Sequence, residues 1–248
     1  MKTFHHGGRI GDLIYALWTV KKLGGGKLYI SDYHKGNWDL NIADQVADFV
    51  VRQPYIYEIE LIKHKELPKV DYDLQKAEDD FNPHMFPYFD KFGPWPGNTL
   101  IAERYAVHFG LTFDFAPWIT NIGGGKRFDI VFNCPLRRSI FGLVRWGNIL
   151  HELSETYDVL IVGKENMEEW RDAAPNAYFT YGNFINTADN IARSKLFLGA
   201  ISSCYVVAES IGMKRFTEHA NGCFNVTTME ILNNRTDEDI MNLIRSSI

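Results

Sequence analysis

Apolar residues along this chain follow two alternating patterns. Short, nearly continuous apolar runs predict β-strands, and longer segments with an apolar residue every three or four positions predict α-helices. The runs expected to form strands are residues 2–5, 27–30, 56–62, 72–74, 128–133, 158–162, 177–180, 195–199 and 215–216. Because these strands alternate with helices, we predict the α/β class with parallel, doubly wound sheets.

The alternation is interrupted at residues 122–126, which read Ile-Gly-Gly-Gly-Lys, and then begins again. Consecutive glycines are typical of flexible connections. We therefore predict two Rossmann-like domains, residues 1–122 and 123–248, with the ligand cleft between them. We predict a last helix over 236–248, capped by Thr236. It belongs to the second domain, and packing against the first domain is an alternative that stays open.

A second departure from the pattern is the segment 80–98, which contains four prolines and six aromatic side chains. That proline content excludes a long helix or strand. Aromatic rings stack on sugars and on nucleobases, so the segment is a candidate binding surface. The alternative is a surface loop with a local aromatic cluster.

The composition narrows the functional class. The chain has 248 residues, of which 46% are hydrophobic, and a net charge of −5 with a pI of about 5.9. This balance disfavours broad nucleic-acid binding, which needs a basic face, and leaves room for a local basic cleft. We expect a cytoplasmic protein, because no apolar run reaches the ~18 residues of a membrane helix and the first residues lack the apolar core of a signal peptide. The cysteines and histidines lack the spacing of a disulfide framework or a metal site.

The first stretch that could carry chemistry is Gly7-Gly8-Arg9-Ile10-Gly11-Asp12-Leu13, between the first strand and an apolar helix. Glycines permit a tight turn and the close approach of a ligand to the backbone, and the start of a helix is its positive end. Asp12 is either the helix cap or a carboxylate aimed at a ligand. Asp32, about 20 residues further on, also permits a nicotinamide dinucleotide site, although the glycine spacing differs from GxGxxG.

The second stretch, residues 133–146, follows the first strand of the second half and contains Arg137, Arg138 and Arg145. Guanidinium groups suit phosphate oxygens, and the alternative is a solvated basic loop. The third stretch, residues 199–204, reads Gly-Ala-Ile-Ser-Ser-Cys and joins a strand to a helix. Its backbone N–H groups and hydroxyls favour an anion site, and the alternative is a buried helix capped by serine.

In this order, the three stretches resemble those of the ADP-heptose:lipopolysaccharide heptosyltransferase family. The residues Gly-Arg-Ile-Gly-Asp-Leu at positions 8–13 are similar to the family's G-x-x-G-D motif, whose aspartate is the proposed catalytic base. The segment around Trp146 resembles the family's basic loop and helix start, with Gly147 in place of a proline. Residues 192–203 resemble its strand, turn and helix motif, in which Ser202 matches the serine.

The resemblance implies a GT-B fold and an inverting, metal-independent glycosyltransferase that uses a nucleoside-diphosphate sugar as donor and no cofactor. Asp12 would deprotonate the acceptor hydroxyl. The residues implied to bind the donor are Gly11, Asn133, Arg137, Arg138, Arg145, Gly163, Lys164, Ser202, Ser203 and Cys204. The residues expected to contact the acceptor are His6, Phe86, Tyr88, Phe89 and Trp95. Short relatives occur in phages, which also place sugars on modified DNA bases, so the acceptor is expected to be a saccharide, as in lipopolysaccharide, or a modified DNA base.

Two other functions stay open. Ile201 and Val206 stand where the family has an aspartate and a histidine, which favours a nucleotide-binding protein without catalysis. The other alternative is an NAD-dependent oxidoreductase with Asp32 on the ribose.

Overall fold

The chain consists of two compact units. A computed structural model describes residues 1–33, 40–81, 101–123, 127–136, 139–163, 166–218, 230–232 and 235–248. The first unit holds the described residues up to Asn121, and the second holds those from Ile122 onward. Within the described residues, no helix is both long enough and apolar enough to cross a bilayer.

The first unit is built on a parallel sheet with the strand order β3-β2-β1-β4. Its strands are β1 Thr3–His6, β2 Gly26–Ser31, β3 Ile56–Ile62 and β4 Tyr72–Asp73. Its helices are α1 Ile10–Lys22, α2 Leu40–Val51, α3 Leu74–Phe81 and α4 Ile101–His108, with a single 3₁₀ turn at His64–Glu66. Because each strand pairs in parallel with its neighbours, the carboxyl ends of β1, β2 and β4 meet at one edge.

Helix α1 is the buried centre of the first unit. It is apolar on nearly every side from Leu13 to Val20, as expected for a helix that lies between the sheet and other elements. Trp118 covers it on one flank: its indole N–H donates to the Ile14 carbonyl (2.8 Å), and its own carbonyl accepts from the Tyr55 hydroxyl (2.8 Å). These contacts hold the end of the first unit against its core.

The second unit is built on a parallel sheet with the strand order β10-β9-β8-β5-β6-β7. Its strands are β5 Phe128–Asn133, β6 Val159–Val162, β7 Tyr178–Thr180, β8 Ser194–Ala200, β9 Lys214–Glu218 and β10 Glu230–Ile231. Its helices are α5 Gly142–Ser154, α6 Met167–Ala173, α7 Phe184–Ala192, α8 Ser203–Ser210 and α9 Asp237–Arg245. The central strand β5 lies between β6 and β8, so its carboxyl end is where loops from both sides converge.

The core of the second unit includes the C-terminal helix α9. The Phe132 ring meets Trp146 and Trp170 edge-on, with ring centroids 5.0 and 5.1 Å apart. Three apolar residues of α9, Ile240, Met241 and Ile244, belong to the same buried cluster. The apolar face of the last helix is part of the second unit's own core. Its first turn is closed by Thr236 and Asp239, which cap each other.

The strands follow the apolar runs closely, and β3 and β5 have the predicted bounds. Thr236 caps α9 as predicted. Helix α1 begins at Ile10, inside the glycine stretch that was predicted to precede it, and α5 begins at Gly142, before Trp146, near which the resemblance implies a helix start. The pattern did not predict helix α3, whose sequence is strongly polar. Short apolar runs mark strands, but a helix start depends on groups that accept its first N–H bonds.

Candidate functional site

One asparagine links three strand ends of the second sheet. Asn133 is the last residue of β5 and is 7% exposed. Its side-chain N–H donates to the Val162 carbonyl (2.7 Å) at the end of β6, and its side-chain oxygen accepts from the Ser202 hydroxyl (2.7 Å) beyond β8. The link brings together residues from all three neighbouring loops.

Gly163 and Gly199 lie against this asparagine. Gly163 has a φ of 119°, and a Cβ there would lie 2.7 Å from the Asn133 side-chain nitrogen. Gly199 has a φ of 139°, and a Cβ there would lie 2.0 Å from the Asn133 carbonyl oxygen. Both positions therefore need glycine. The predicted donor residues Asn133, Gly163 and Ser202 thus lie at one edge of the sheet.

Helix α8 begins at this edge. Ser202 caps it, because its hydroxyl oxygen accepts from the Tyr205 backbone N–H (3.3 Å). Ser203 and Cys204 form the first turn of the helix, whose N–H groups give it a positive end. Burial raises the pKa of the Cys204 thiol to about 12. The thiol is therefore neutral at physiological pH and is not a nucleophile.

A pocket opens near the carboxyl ends of β6 and β7. It has a volume of about 330 Å³ and is lined by Asn166, Met167, Glu168, Glu169, Arg171 and Tyr181. The Asn166 side chain donates to the Glu169 carboxylate (3.0 Å) and accepts from the Leu136 backbone N–H (3.2 Å). The first of these bonds holds the pKa of the Glu169 carboxyl below its usual range. The second ties the pocket rim to the loop that follows β5.

The basic loop after β5 was predicted to bind phosphate. Arg137, Arg138 and also Lys164 lie outside the described residues. The Arg145 guanidinium donates to the Asp237 carboxylate (2.6 Å) and lies 3.8 Å from the centre of the Phe141 ring. In the structure the Arg145 side chain joins α5 to the start of α9, where a carboxylate is its partner, and its role in phosphate binding stays a prediction.

Glu218, which the sequence did not single out, organises the start of α5. It is the last residue of β9 and is 1% exposed. One carboxylate oxygen accepts from the backbone N–H groups of Ile140 (2.8 Å) and Phe141 (2.6 Å). The other accepts from the Trp146 indole (2.8 Å) and the Cys134 thiol (2.9 Å). The only sequence signal was its position after an apolar strand, which was predicted to end at residue 216.

In the first unit, Asp12 lies in the first turn of α1 and is not its N-cap residue. The helix begins at Ile10, and the cap residue is Arg9, which is extended and makes no capping bond through its side chain. This corrects the alternative in which Asp12 is the cap. The Asp12 side chain is half-buried, and Gly11 precedes it within the same turn. A carboxylate in the first turn of a helix is stabilised by the helix dipole.

The glycine turn before α1 is fixed from below. The Gly7 N–H donates to the Gln75 side-chain oxygen (2.9 Å), and the Gly8 N–H donates to His6 Nδ1 (2.8 Å). His6 Nε2 lies 3.2 Å from the Tyr105 hydroxyl, and the His6 side chain is fully buried. His6 therefore supports the turn from inside, and its contact with an acceptor stays a prediction. The other predicted acceptor residues, Phe86, Tyr88, Phe89 and Trp95, lie outside the described residues.

A hydrogen-bonded histidine links three strand ends of the first sheet. His5 on β1 contacts the Asp73 carboxylate of β4 through Nδ1 (2.9 Å) and the Ser31 hydroxyl of β2 through Nε2 (2.8 Å). Burial acts to raise the pKa of the Asp73 carboxyl, but the hydrogen bonds from His5 and from the Lys76 N–H outweigh it and hold that pKa below its usual range. Asp32, the residue of the dinucleotide alternative, accepts from the His64 backbone N–H (2.6 Å).

Comparison with known proteins gives the fold. No protein-family model and no curated protein matches the chain. Among solved structures, the chain is similar to the E. coli heptosyltransferase WaaC with ADP, at 10% identity over 100% of both chains and a TM-score of 0.67. It is also similar to E. coli ADP-heptose lps heptosyltransferase II, at 11% identity over 99% of this chain and 98% of that one, with a TM-score of 0.60. A family 9 glycosyl transferase from Veillonella parvula covers 99% of this chain and 89% of its own, at 13% identity and a TM-score of 0.60. The chain therefore has the GT-B fold of these glycosyltransferases, with two Rossmann-like units.

Proposed function

We propose that the protein is a glycosyltransferase that moves a sugar from a nucleoside-diphosphate sugar to a hydroxyl group. Two findings support this: the fold is that of heptosyltransferases, and one of the similar structures holds ADP. The observation that carries the proposal is the link through Asn133, which brings a glycine turn and the start of α8 to one edge of the second sheet. In parallel α/β sheets, ligands bind at this edge.

The donor roles follow from the chemistry of that edge. The diphosphate suits the start of α8, where backbone N–H groups and the helix dipole favour negative charge. The nucleoside suits the adjacent pocket of about 330 Å³. There the Glu168 and Glu169 carboxylates are acceptors for ribose hydroxyls, and Tyr181 supplies an aromatic face for a base.

The proposed reaction is a direct displacement. Asp12 takes the proton of the acceptor hydroxyl, the acceptor oxygen bonds to the anomeric carbon, and the bond from that carbon to the diphosphate oxygen breaks. A single displacement inverts the anomeric centre. The start of α8 stabilises the charge of the departing diphosphate, so we propose that transfer needs no metal ion.

The acceptor we propose is a saccharide hydroxyl, and the reaction takes place in the cytoplasm. A modified DNA base is the second candidate acceptor, carried by the aromatic composition of residues 80–98, since aromatic rings stack on bases as well as on sugars. The net charge of −5 favours the saccharide, because binding to duplex DNA relies on cationic contacts with phosphates.

A thermal-shift screen with ADP, UDP, GDP, CDP and NAD tests the donor site. We expect one nucleoside diphosphate to raise the melting temperature well above the others, because a ligand that binds the folded state stabilises it. Stabilisation by NAD alone would favour the oxidoreductase instead. The matching nucleotide sugar, labelled in the sugar, is then tested for transfer to a saccharide and to modified DNA, with and without EDTA.

The variant Asp12→Asn tests the catalytic role. We expect transfer to fall by about 10²–10⁴-fold, with the affinity for the nucleotide unchanged. Asp48→Asn is the matched control, because Asp48 is an exposed aspartate on α2. Full transfer by Asp12→Asn would show that the carboxylate is not the base. Nucleotide binding by the unaltered protein without any transfer would favour the catalytically inactive alternative. That alternative is based on Ile201 and Val206, which replace the family's aspartate and histidine.

A further inference from the structure

Glu218 is a buried carboxylate whose described partners are all neutral donors. It accepts two backbone N–H bonds, an indole N–H bond and a thiol bond, with donor–acceptor distances of 2.6 to 2.9 Å. A buried carboxylate is costly unless its oxygens are hydrogen-bonded in this way. Such a full set of donors shows that the fold is built around this charge.

Two of the donors are the amide groups directly before α5. Ile140 and Phe141 precede the helix, which begins at Gly142. Unsatisfied N–H groups at a helix start are where proteins bind phosphate and other anions. The Glu218 carboxylate occupies that place from within the chain, 77 and 78 residues away in sequence.

We propose that Glu218 is a positioning residue: it acts as a built-in anion that fixes Cys134, Ile140 and Phe141 and thereby shapes the nucleotide-binding edge of the second unit. The part that concerns nucleotides rests on the proposed function. The inference places the diphosphate at the start of α8, because the start of α5 already holds a negative charge.

The residues that Glu218 fixes lie close in sequence to both anchors of the proposed donor site. Asn133 directly precedes Cys134 and links the ends of β6 and β8. Leu136 follows two residues after Cys134 and donates to Asn166 on the rim of the pocket. Loss of Glu218 frees Cys134 and the start of α5, so both contacts with the edge loosen.

A carboxylate is required, because an amide cannot serve all four donors. Asn or Gln side chains have one acceptor oxygen and one NH₂ donor. In Glu218→Gln the NH₂ group would face either the two backbone N–H groups or the indole and the thiol. Glu218→Ala leaves a cavity with the same donors, which a small carboxylate such as formate can refill, whereas the Gln side chain blocks that space.

The test compares Glu218→Ala, Glu218→Gln and the unaltered full chain, with sodium formate against sodium chloride at equal ionic strength. We expect both variants to melt about 5–10 °C lower, since charge-assisted bonds are lost in a protein of this size. We expect ADP affinity to fall about tenfold, equivalent to roughly 1.4 kcal/mol. Formate should restore the melting temperature and ADP binding in Glu218→Ala and leave Glu218→Gln unchanged. The matched control is Glu155→Ala, which changes an exposed glutamate at the end of α5.

Two results would overturn the inference: ADP affinity that survives in Glu218→Ala, or formate that restores melting without restoring ADP binding. If the unaltered chain binds none of the nucleotides, the proposed function fails on its own. The formate arm then decides the role of Glu218: rescued melting supports the built-in anion, and melting without rescue contradicts it.

Hydrogen exchange of the unaltered protein decides the matter even if Glu218→Ala does not fold. The amides of Ile140 and Phe141 lie before the helix, yet both are bonded to a buried carboxylate. We expect them to exchange as slowly as amides inside α5. Rapid exchange at both positions would contradict the proposal that Glu218 fixes the start of α5.

Discussion

Each of the two sheets has one side chain that bridges neighbouring strands at its carboxyl edge, and the two bridging side chains differ in their chemistry. In each, a residue of a central strand bridges its two neighbours, and one partner is a serine hydroxyl: Ser31 for His5 and Ser202 for Asn133. In the first unit the bridge is an imidazole bonded to a carboxylate, Asp73. In the second it is a neutral amide that reaches a backbone carbonyl.

The two bridges differ in how they respond to pH. An amide has fixed donor and acceptor roles at every ordinary pH, so the edge that we propose to hold a charged donor keeps its shape as pH changes. The bridge through His5 ends on the Asp73 carboxylate, whose pKa is below its usual range. The Asp73 side chain is 39% exposed, so solvent reaches that edge. The bridge of the first sheet therefore depends on pH through Asp73.

Removing the amide bridge should have the largest effect. Asn133→Ala takes the partners from the Val162 carbonyl and the Ser202 hydroxyl and leaves a cavity. We expect the free energy of unfolding to fall by about 2–3 kcal/mol, by the same amount at pH 5 and pH 8, and ADP binding to weaken. Urea unfolding and ADP titration measure the two effects. Asn148→Ala, an exposed asparagine on α5, is the control and should change stability by less than about 0.5 kcal/mol. If the loss in the free energy of unfolding of Asn133→Ala depended strongly on pH, the two edges would not differ in their response to pH.

The charged bridge should contribute less and in a pH-dependent way. The pKa of Asp73 is below its usual range in the folded protein, so the folded state favours the ionised form. Its contribution to stability is therefore present at neutral pH and is lost as the pH falls from the ordinary carboxyl range through the lowered pKa.

Asp73→Asn tests that contribution. We expect a loss of about 0.5–1 kcal/mol at pH 7, kept small because the carboxylate is 39% exposed and screened by solvent. The difference from the unaltered protein should shrink as the pH is lowered from the ordinary carboxyl range through the lowered pKa of Asp73, where the carboxylate of the unaltered protein also becomes protonated. Unfolding curves between pH 3 and pH 7 measure it. A constant difference across this range would mean that Asp73 acts through packing and not through its charge.

The two edges also differ in how far the sequence could predict them. Asn133 and Ser202 lie in stretches marked by a strand end and a helix start, so their place at one edge follows from the parallel topology. Their mutual bond does not, because it joins side chains 69 residues apart. His6 was assigned to a ligand because sequence alone does not show that a polar side chain is buried.

Some helix starts could not be predicted from the sequence for a physical reason. Glu218, which is distant in sequence and comes from another strand, accepts from the backbone just before α5. The residue before the helix, Phe141, makes no side-chain capping bond, and the Gly142 N–H donates to the Ser139 hydroxyl (2.8 Å). Strands β3 and β5 needed no such partner: apolar and polar residues largely alternate in β3, β5 is mostly apolar, and both patterns specify a strand locally.

We expect the smallest effect on stability from changes at Arg145. They test whether the charge of this side chain contributes to the nucleotide-binding edge of the second unit. Its guanidinium pairs with Asp237 while 28% of its side chain remains exposed. We expect Arg145→Gln to lower the free energy of unfolding by less than about 1 kcal/mol, and by less still at high salt. Asp237→Asn should cause a similar loss, and the double variant should lose less than the sum, because both changes break one contact. ADP affinity should be unchanged in all three variants. If Arg145→Gln weakens ADP binding while Asp237→Asn does not, the guanidinium binds phosphate as the sequence predicted, and the ion pair with α9 is its resting contact.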